Sequence, residues 1–326
     1  MTNQLFTDIP WQNIVKFGQD TMLDKKLFSI SWILGRFCNY KCSYCWPYAN
    51  SSTPDHLDYD IYLKAINSIK SQAVDNGFDK FHWSFSGGEP TAYKHIGKLI
   101  NEVSDNSSIH MTTNLSPGMS WWRVWLMITS TCARRSLTAS FHDEFANETE
   151  FADKILYLMN EKVFVTVNQV MVPEKFYELY ERLCRFNSVG INVTLKPQSD
   201  ITASSIVEGY TPDMIDKMRT GFPQHIDEQE LLQVRLIDVD NKSWYIDQAE
   251  RFNSFGFNKF SGWMCNSGYQ SVIIRGDEVK RSYSCHDTIL GTLTGGFKLF
   301  DKPVICTTHS CVSSADSKIP KVKICK

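Results

Sequence analysis

Three cysteines lie within eight residues in the sequence GRFCNYKCSYCWP, and this cluster constrains the chain more than any other feature. Three residues separate Cys38 from Cys42, and two separate Cys42 from Cys45. Thiolates are the usual ligands of iron–sulfur clusters, and three thiolates leave one iron of a four-iron cluster without a protein ligand. The spacing therefore predicts a reactive cluster, with one iron open to a small-molecule cofactor.

A zinc knuckle or a group of buried apolar cysteines is the alternative for this segment. Structural zinc usually takes four protein ligands, and the nearest further candidate, His56, lies eleven residues after Cys45. The chain has ten cysteines in 326 residues. In a reducing compartment such clustered cysteines indicate metal binding or catalysis rather than disulfides.

Charge and hydropathy limit the compartment and the partners. The first residues, MTNQLFTDIPWQ, lack a signal peptide's basic and apolar regions. No apolar run approaches the roughly 20 residues that span a bilayer. The formal net charge of -2 gives no electrostatic footprint for nucleic acid or an anionic membrane. We therefore expect a cytoplasmic protein with no membrane partner, and a nucleic-acid partner is disfavoured.

Short apolar runs alternate with helical patterns through the first two hundred residues or so. The predicted strands are Phe28–Leu34, Phe81–Ser86, Ile109–Thr113, Ser136–Phe141, Val163–Met171 and Ile191–Leu195. The predicted helices are Tyr59–Ser71, His95–Val103, Trp121–Ile128, Glu148–Asn160 and Glu174–Asn187. This alternation predicts an α/β fold in which right-handed crossovers curl parallel strands into an open, partial (β/α)6 barrel. Sites in such folds lie at the carboxyl ends of the strands.

The pattern weakens after Pro197, where a polar, Ser- and Thr-rich stretch resembles a linker. A short helix near Asp213–Arg219 and an irregular stretch to about Gly262 follow, and the tail sequence GYQSVIIRGDEVKRSYSC predicts a β-hairpin. The expected organisation is an N-terminal extension 1–27, a barrel 28–200, a linker or lid 201–262 and a small cysteine-containing domain 263–326.

The Cys-x3-Cys-x2-Cys spacing, with Tyr44 before the last cysteine, resembles the motif of the radical S-adenosylmethionine (radical SAM) family. The resemblance covers roughly residues 28–197. It implies that the amino and carboxylate groups of SAM chelate the open iron of a [4Fe-4S] cluster, with Tyr44 near the adenine. One electron then cleaves SAM to methionine and a 5′-deoxyadenosyl radical, which abstracts a hydrogen atom from the substrate.

The sequence FSGGEPT, after the second predicted strand, is similar to the family's GGE motif. Gly87 and Gly88 allow backbone to approach a ligand closely. The resemblance implies that Glu89 accepts a hydrogen bond from the methionine ammonium, and Pro90 stiffens the turn. A Gly–Gly pair is by itself usually only a turn, so the position after a strand is what gives this motif its weight.

Further candidates follow the later strands. Thr113 and Asn114, after the third strand, lie where family members place polar contacts to SAM, and Ser140, on the fourth, is a candidate contact to its ribose or carboxylate. His142 and Lys196 are candidates for the catalytic acid or base, because each follows a strand. The alternative for each of these residues is a plain cap or a solvated polar side chain.

A second group of cysteines, Cys265, Cys285, Cys306 and Cys311, lies in the last quarter of the chain. The segment from Cys265 to Leu293 resembles the SPASM/twitch extension of radical SAM enzymes, in its shorter form with one auxiliary [4Fe-4S] cluster. A structural zinc ribbon is the alternative, but it usually has two close cysteine pairs. Cys325 is either a spare thiol or a replacement ligand.

The resemblance implies a radical SAM oxidoreductase or maturase whose auxiliary cluster handles electrons, and whose donor is a flavodoxin or ferredoxin. Its substrate is a small molecule or a peptide; only about 27 residues precede the first predicted strand, which disfavours a peptide-recognition domain. A nucleotide- or RNA-modifying enzyme and a non-catalytic metal-binding scaffold are the alternatives. Cys132 and Cys184 are predicted to be buried apolar residues.

Overall fold

The computed structural model describes residues 8–23, 26–46, 48–202, 205–223, 225, 234–246, 256–285 and 288–324. Two compact units contain them. The parallel-strand unit takes its residues from 32–59 and 83–226, and the tail unit takes its residues from 1–31, 60–82 and 227–326. Among the described residues, none of the helices is long and apolar enough to cross a membrane.

The strands are numbered in chain order. They are β1 (Ile14–Gln19), β2 (Leu27–Ile33), β3 (Lys80–Ser86), β4 (Ser108–Thr113), β5 (Arg134–Phe141), β6 (Phe164–Met171), β7 (Asn192–Pro197), β8 (Val234–Asp238), β9 (Ser243–Ile246), β10 (Met264–Cys265), β11 (Ser271–Arg275), β12 (Glu278–Lys280), β13 (Ile289–Thr292), β14 (Gly296–Phe297), β15 (Val304–Ile305) and β16 (Lys321–Val322).

The helices alternate with the strands from β2 to β7. They are α1 (Asp20–Leu23), α2 (Tyr59–Asp75), α3 (Ile96–Ser104), α4 (Met119–Ile128), α5 (Glu148–Asn160), α6 (Phe176–Ser188), α7 (Pro212–Thr220) and α8 (Ser314–Ser317). Every strand and helix predicted before Pro197 is present, with ends that differ by a few residues.

Strands β4, β5, β6 and β7 pair in that order and are all parallel. Alternate residues along them are buried, such as Ile109, Leu137 and Val167. Helices α5 and α6 each bury one apolar stripe, with Ile155 and Leu183 fully buried, as the 3.6-residue period of amphipathic helices requires. The predicted α/β class with a parallel sheet is confirmed. Its open, partial-barrel form agrees with the single, unclosed run of parallel strands.

The tail unit contains an antiparallel sheet with the strand order β15-β10-β16-β1-β8-β9. Strand β1 pairs with both β8 and β16, and Phe17 on β1 is 1% exposed. The sequence predicted an irregular stretch where β8 and β9 lie. These strands were missed because each is only four or five residues long, which gives the period-two alternation little room to show.

The predicted hairpin is present in the tail unit. Strands β11 and β12 pair antiparallel across a turn at Gly276, whose φ of 57° favours glycine. Val272, Ile274 and Val279 are buried beneath it. The domain boundaries predicted around this hairpin and the linker remain a proposal.

Candidate functional site

The first cysteine cluster lies in a loop of the parallel-strand unit after β2. Cys38 and Cys42 are half-buried, and Cys45 is exposed. The Cys38 Sγ accepts a hydrogen bond from the Tyr40 amide at 3.4 Å. A cavity of about 430 Å³ opens at this loop and is lined by Lys41, Cys42, Cys45, Asn50, Ser51 and Ser52. All three thiols are free, and Cys42 and Cys45 reach the polar cavity.

Asp55 fixes the start of the cysteine loop. Its carboxylate accepts hydrogen bonds from the Arg36 amide at 2.8 Å, the Phe37 amide at 3.1 Å and the Arg36 Nε at 3.0 Å. Burial by itself would raise the pKa of Asp55, but these hydrogen bonds hold the pKa below its usual range. No sequence motif pointed to Asp55, because its partners lie eighteen and nineteen residues earlier in the chain.

The GGE segment packs directly on the backbone of this loop. Gly88 donates to the Gly35 carbonyl at 2.9 Å, and Glu89 donates to the Phe37 carbonyl at 2.8 Å. A Cβ at Gly88 would lie 2.2 Å from the Phe37 oxygen, and one at Gly87, whose φ is 123°, would lie 2.4 Å from the Gly35 oxygen. Both glycines are therefore required by close contact with the cysteine loop itself, a role that the sequence did not predict.

Glu89 joins the ends of β3 and β4. It is 2% exposed. Its carboxylate accepts hydrogen bonds from the Thr91 amide at 3.0 Å, the Thr91 hydroxyl at 2.6 Å, the Thr113 hydroxyl at 2.8 Å and the Asn114 amide at 2.6 Å. Burial raises the pKa of Glu89 despite these donors. Buried Pro90 begins the short 3-10 turn that follows. The Glu89 carboxylate thus connects this turn to the end of β4 through its hydrogen bonds.

Asn114 carries this network back to the first cysteine. Its Nδ2 lies 4.0 Å from the Cys38 Sγ and donates to the Asn39 Oδ1 at 2.9 Å. Asn114 is 4% exposed. The structure thus brings together three segments that the sequence singled out separately: the cysteine loop, the GGE turn and the Thr113–Asn114 pair.

The end of β5 holds the other side of the loop. The Tyr44 hydroxyl and the His142 Nδ1 are 2.8 Å apart, and their rings stack at 6.0 Å. Glu144 accepts hydrogen bonds from the amide and hydroxyl of Ser43. Burial lowers the pKa of His142 to about 4, although the Glu144 and Asp143 carboxylates oppose it, so the ring is neutral at pH 7. His142 therefore positions the motif aromatic in this structure.

Buried and half-buried residues alternate along β3 to β7, and the half-buried ones form a largely polar face of the sheet. Thr112, Thr138 and Thr166 lie in register across three strands, and so do Ser140, Asn168 and Thr194. Half-buried residues of this face are Ser84, Ser86, His110, Thr112, Thr138, Ser140, Thr166, Asn168, Thr194 and Lys196. The candidates Ser140 and Lys196 thus lie on one sheet face, with Lys196 beside the carboxyl end of β7.

A histidine that the sequence analysis did not select lies in this polar face. The His110 Nδ1 is 2.8 Å from the Ser84 hydroxyl, and its Nε2 is 2.9 Å from the Thr138 hydroxyl. The three residues come from three consecutive strands. The alternation of Ser, His and Thr with apolar residues along these strands was the available signal.

All four tail cysteines are buried, at 3% to 8% exposure. Cys265 on β10 pairs in register with Val304 on β15, which places Cys306 close beside β10. The Cys306 amide donates to the Trp263 carbonyl at 2.7 Å, and the Cys311 amide donates to the Asn258 carbonyl at 2.8 Å. The sheet thus gathers cysteines that are far apart in sequence.

The electrostatic interactions between these thiols indicate that they lie near one another. Burial raises the pKa of Cys306, and the Cys265 and Cys285 thiolates raise it further. Burial also raises the pKa of Cys311 to about 12; Lys321 opposes this shift, and Cys265 and Cys306 add to it. Four buried thiols that affect one another fit a thiolate-bound centre. Within the described ranges, no three Cys, His, Asp or Glu side chains are arranged to hold a single metal ion.

The remaining cysteines are less uniform than the sequence predicted. Cys132 is half-buried, and Cys184 is exposed, so the expectation of burial is wrong for Cys184. Helix α6 buries Leu179, Leu183 and Phe186, and Cys184 falls on its outer face. Cys325 lies outside the described residues.

Residues 32–125 match the family described as the Radical SAM superfamily. This segment contains the three-cysteine motif, the GGE turn and the Thr113–Asn114 pair. The match covers the motif residues, so the resemblance to the radical SAM superfamily that the motif implied is confirmed over this segment.

Among curated proteins, the chain is similar to the GTP 3′,8-cyclases of several Clostridium botulinum strains, including Hall and Langeland. The identity is 34% over 99 residues, which is 28% of this chain and 30% of the relative. The match thus spans about 30% of the length of these curated relatives. It supports a domain shared with these relatives over the matched residues, and it leaves the activity of the whole chain open.

Among solved structures, the chain is similar to a histidine-tagged anSMEcpe with bound AdoMet, with a TM-score of 0.54 and 13% identity. A second structure, native anSMEcpe with bound AdoMet, gives a TM-score of 0.50 and 13% identity. Each match covers 82% of this chain and 78% of the other. At this identity the likeness establishes the fold alone.

Proposed function

We propose that this chain is a radical SAM enzyme that abstracts a hydrogen atom from a polar substrate, with an auxiliary [4Fe-4S] cluster in the tail handling electrons. One observation carries the proposal. Hydrogen bonds of Glu89 and Asn114 connect the GGE turn, the end of β4 and the loop of Cys38 in a single buried network. Such a network fixes the loop that would hold the catalytic cluster.

Cys38, Cys42 and Cys45 would hold the first [4Fe-4S] cluster, and SAM would complete it. When bound, this pair supplies a 5′-deoxyadenosyl radical, at the cost of one electron from a flavodoxin- or ferredoxin-type donor. Of the remaining candidates, Tyr44 lies within the cysteine loop, and the Gly87–Pro90 turn packs against the backbone of that loop. We propose them, with Thr113, Asn114 and Ser140, as the residues that shape the SAM site.

The proposed net reaction removes two electrons from the substrate. The substrate C–H bond gives its hydrogen atom to the 5′-deoxyadenosyl radical and forms 5′-deoxyadenosine. A base would take a proton from the resulting substrate radical, and Cys265, Cys285, Cys306 and Cys311 would hold the auxiliary cluster that supplies an acceptor for the remaining electron. Lys196, on the polar face, is proposed as that acid or base. His142 is neutral at pH 7 and engaged with Tyr44, so it is better suited to positioning than to proton transfer.

The polar face of β3 to β7 favours a polar small molecule over an apolar one. Hydroxyl, amide and imidazole groups line that face, and a buried polar group needs a partner. His110, held by Ser84 and Thr138, has ring nitrogens whose orientation is fixed. A peptide that presents polar side chains is the other substrate class compatible with this surface.

Cys265, Cys285, Cys306 and Cys311 would hold the auxiliary cluster. Four thiolates complete its coordination, which leaves no iron for the substrate and suits electron transfer. A structural zinc in the same four thiols is the competing assignment. The two assignments differ in whether iron or zinc is bound when only the tail cysteines are present.

A nucleotide substrate is a second candidate, favoured by the similarity to GTP 3′,8-cyclases over 99 residues. The test is incubation of the reduced, reconstituted enzyme with SAM and GTP, followed by mass spectrometry of the nucleotide. Conversion of GTP would select this candidate, and unchanged GTP beside 5′-deoxyadenosine would reject GTP as the substrate.

The deciding experiment counts iron, acid-labile sulfide and zinc after anaerobic reconstitution, and assays SAM cleavage in the same sample. About eight irons and eight sulfides per chain, with 5′-deoxyadenosine formed on reduction, is the expected result. About four irons with one zinc would keep the SAM site and reject the auxiliary cluster. An iron-free protein that leaves SAM intact would reject the whole proposal.

A further inference from the structure

Lys321 is a buried cation in the tail unit, next to the second cysteine group. It is 1% exposed and lies opposite Cys265 in the register of β16 and β10. Its ammonium donates hydrogen bonds to the carbonyl oxygens of Asp316 and Ile319, each at 2.8 Å, and of Ser317 at 3.5 Å. These contacts hold the ammonium in one place.

Within the part of the chain that the structure describes, the recorded ion pairs include no carboxylate for Lys321. The Asp316 carboxylate instead accepts hydrogen bonds from the Ser284 amide at 2.6 Å and hydroxyl at 2.7 Å. The Phe260 ring lies 4.6 Å from the Lys321 ammonium. A buried charge is costly unless it is paired, so this position calls for an anion.

The four thiols can provide that anion. Lys321 lies directly opposite Cys265 on the paired strand, so its charge is held on the strand beside these thiols. Four thiolates around an oxidised [4Fe-4S] core carry net negative charge, and each added electron makes that charge larger. A fixed cation at short range stabilises the reduced state more than the oxidised state.

We propose that Lys321 is the charge-compensating residue of the auxiliary centre, and that its ammonium raises the reduction potential of the cluster. This inference depends on the auxiliary cluster of the proposed function. It deepens that function, because a higher potential makes the cluster a better acceptor for the electron left on the substrate. Lys321 is thus a tuning residue that acts through the cluster and does not touch the substrate.

The test is a redox titration followed by electron paramagnetic resonance. The titration uses full-length protein in which Cys38, Cys42 and Cys45 are all changed to Ala, so that only the auxiliary cluster contributes. Lys321→Met and Lys321→Gln remove the charge, and the Gln side chain can still donate to the backbone carbonyls. Lys321→Arg keeps the charge, and Lys323→Gln, at an exposed lysine two residues further on, is the matched control.

We expect the midpoint potential to fall in Lys321→Met and Lys321→Gln, to stay near the parent value in Lys321→Arg, and to be unchanged in Lys323→Gln. If Lys321→Met fails to take up iron, the midpoint potential of Lys321→Gln is compared with that of the parent instead. An unchanged potential in a neutral variant that retains its cluster would overturn the role of Lys321 while leaving the proposed function intact. A parent that binds zinc and no iron would overturn both the role of Lys321 and the auxiliary cluster of the proposed function, and would leave the first cysteine site untouched.

Discussion

The two cysteine groups differ in how the chain assembles them. Cys38, Cys42 and Cys45 are close together in sequence and lie in one loop, where Cys42 and Cys45 border a cavity of about 430 Å³. The four tail cysteines span 47 residues, from 265 to 311, are buried, and depend on strand pairing for their proximity. The ligands proposed for an open, reactive cluster can therefore come from one short segment of the sequence. The closed site of the tail cysteines, for which we propose an electron-accepting cluster, depends instead on the tertiary fold.

The electrostatic surroundings differ in the same sense. Carboxylates hold the first loop in place. Asp55 accepts a hydrogen bond from the Arg36 amide, and Glu144 accepts one from the Ser43 amide. The tail group is instead accompanied by the buried cation Lys321. For the functions proposed above, negative charge near the first loop would favour binding of a cationic sulfonium cofactor, and positive charge near the tail thiols would favour acceptance of an electron.

The largest expected effect comes from the first group. Cys42→Ala removes one of the three proposed cluster ligands, so formation of 5′-deoxyadenosine from SAM should fall to the level of cluster-free protein. Chromatography of the reaction products measures it. Cys184→Ala, at an exposed cysteine on α6, is the control and should behave as the parent. Retained SAM cleavage in Cys42→Ala would remove the basis for calling the first site catalytic.

The second effect separates the two groups. Cys285→Ala should keep SAM cleavage but block product formation, because the electron left on the substrate loses its acceptor. The measurement is the ratio of substrate-derived product to 5′-deoxyadenosine. Full product yield would mean that the auxiliary centre is dispensable, and the contrast between an open and a closed cluster would lose its functional meaning.

A third, smaller effect concerns the network behind the first loop. Glu89→Gln leaves one buried donor facing an amide nitrogen, which should cost about 1–3 kcal/mol in the free energy of unfolding. Denaturant unfolding of the reconstituted protein measures the loss. Glu181→Gln, at an exposed position of α6, should change little. Equal stability of the two variants would show that Glu89 does not organise the loop.

The smallest effect is a pH dependence at His142. Its pKa is lowered to about 4 by burial, so between its ordinary value near 6.5 and 4 the unfolded chain binds the proton more readily. Stability should therefore fall as the pH drops from 7 to 5, and His142→Asn should reduce that fall. Denaturant midpoints at the two pH values measure it, with exposed His225→Asn as the control. An identical pH slope in parent and His142→Asn would contradict the buried, neutral state of His142.

Much of the fold followed from the sequence, because long elements repeat their pattern often enough to be recognised. Helix α5 and strand β6 are examples, each with several apolar residues at the expected spacing. The short strands β8 and β9 were missed for the opposite reason. Strand β1 was taken as part of an extension because its partners, β8 and β16, lie more than 200 residues further along.

The candidate site was predicted unevenly. The three-cysteine spacing and the GGE turn were visible as local patterns. The roles of Gly87 and Gly88 were not, because the atoms they must avoid belong to residues 35–37. Asp55, His110 and Lys321 carry no motif, and each matters only through partners from other strands or loops.

The sequence by itself predicted the ligand chemistry, the order of the elements and the resemblance to the radical SAM superfamily, since these depend on residue type and on short-range spacing. Only the tertiary structure decided that Glu89 joins the GGE turn to the cysteine loop, that His142 holds Tyr44, and that a buried cation lies beside the tail thiols. The physical reason is that hydrogen bonds and charges act over a few ångströms of space, and long-range strand pairing sets which residues come that close.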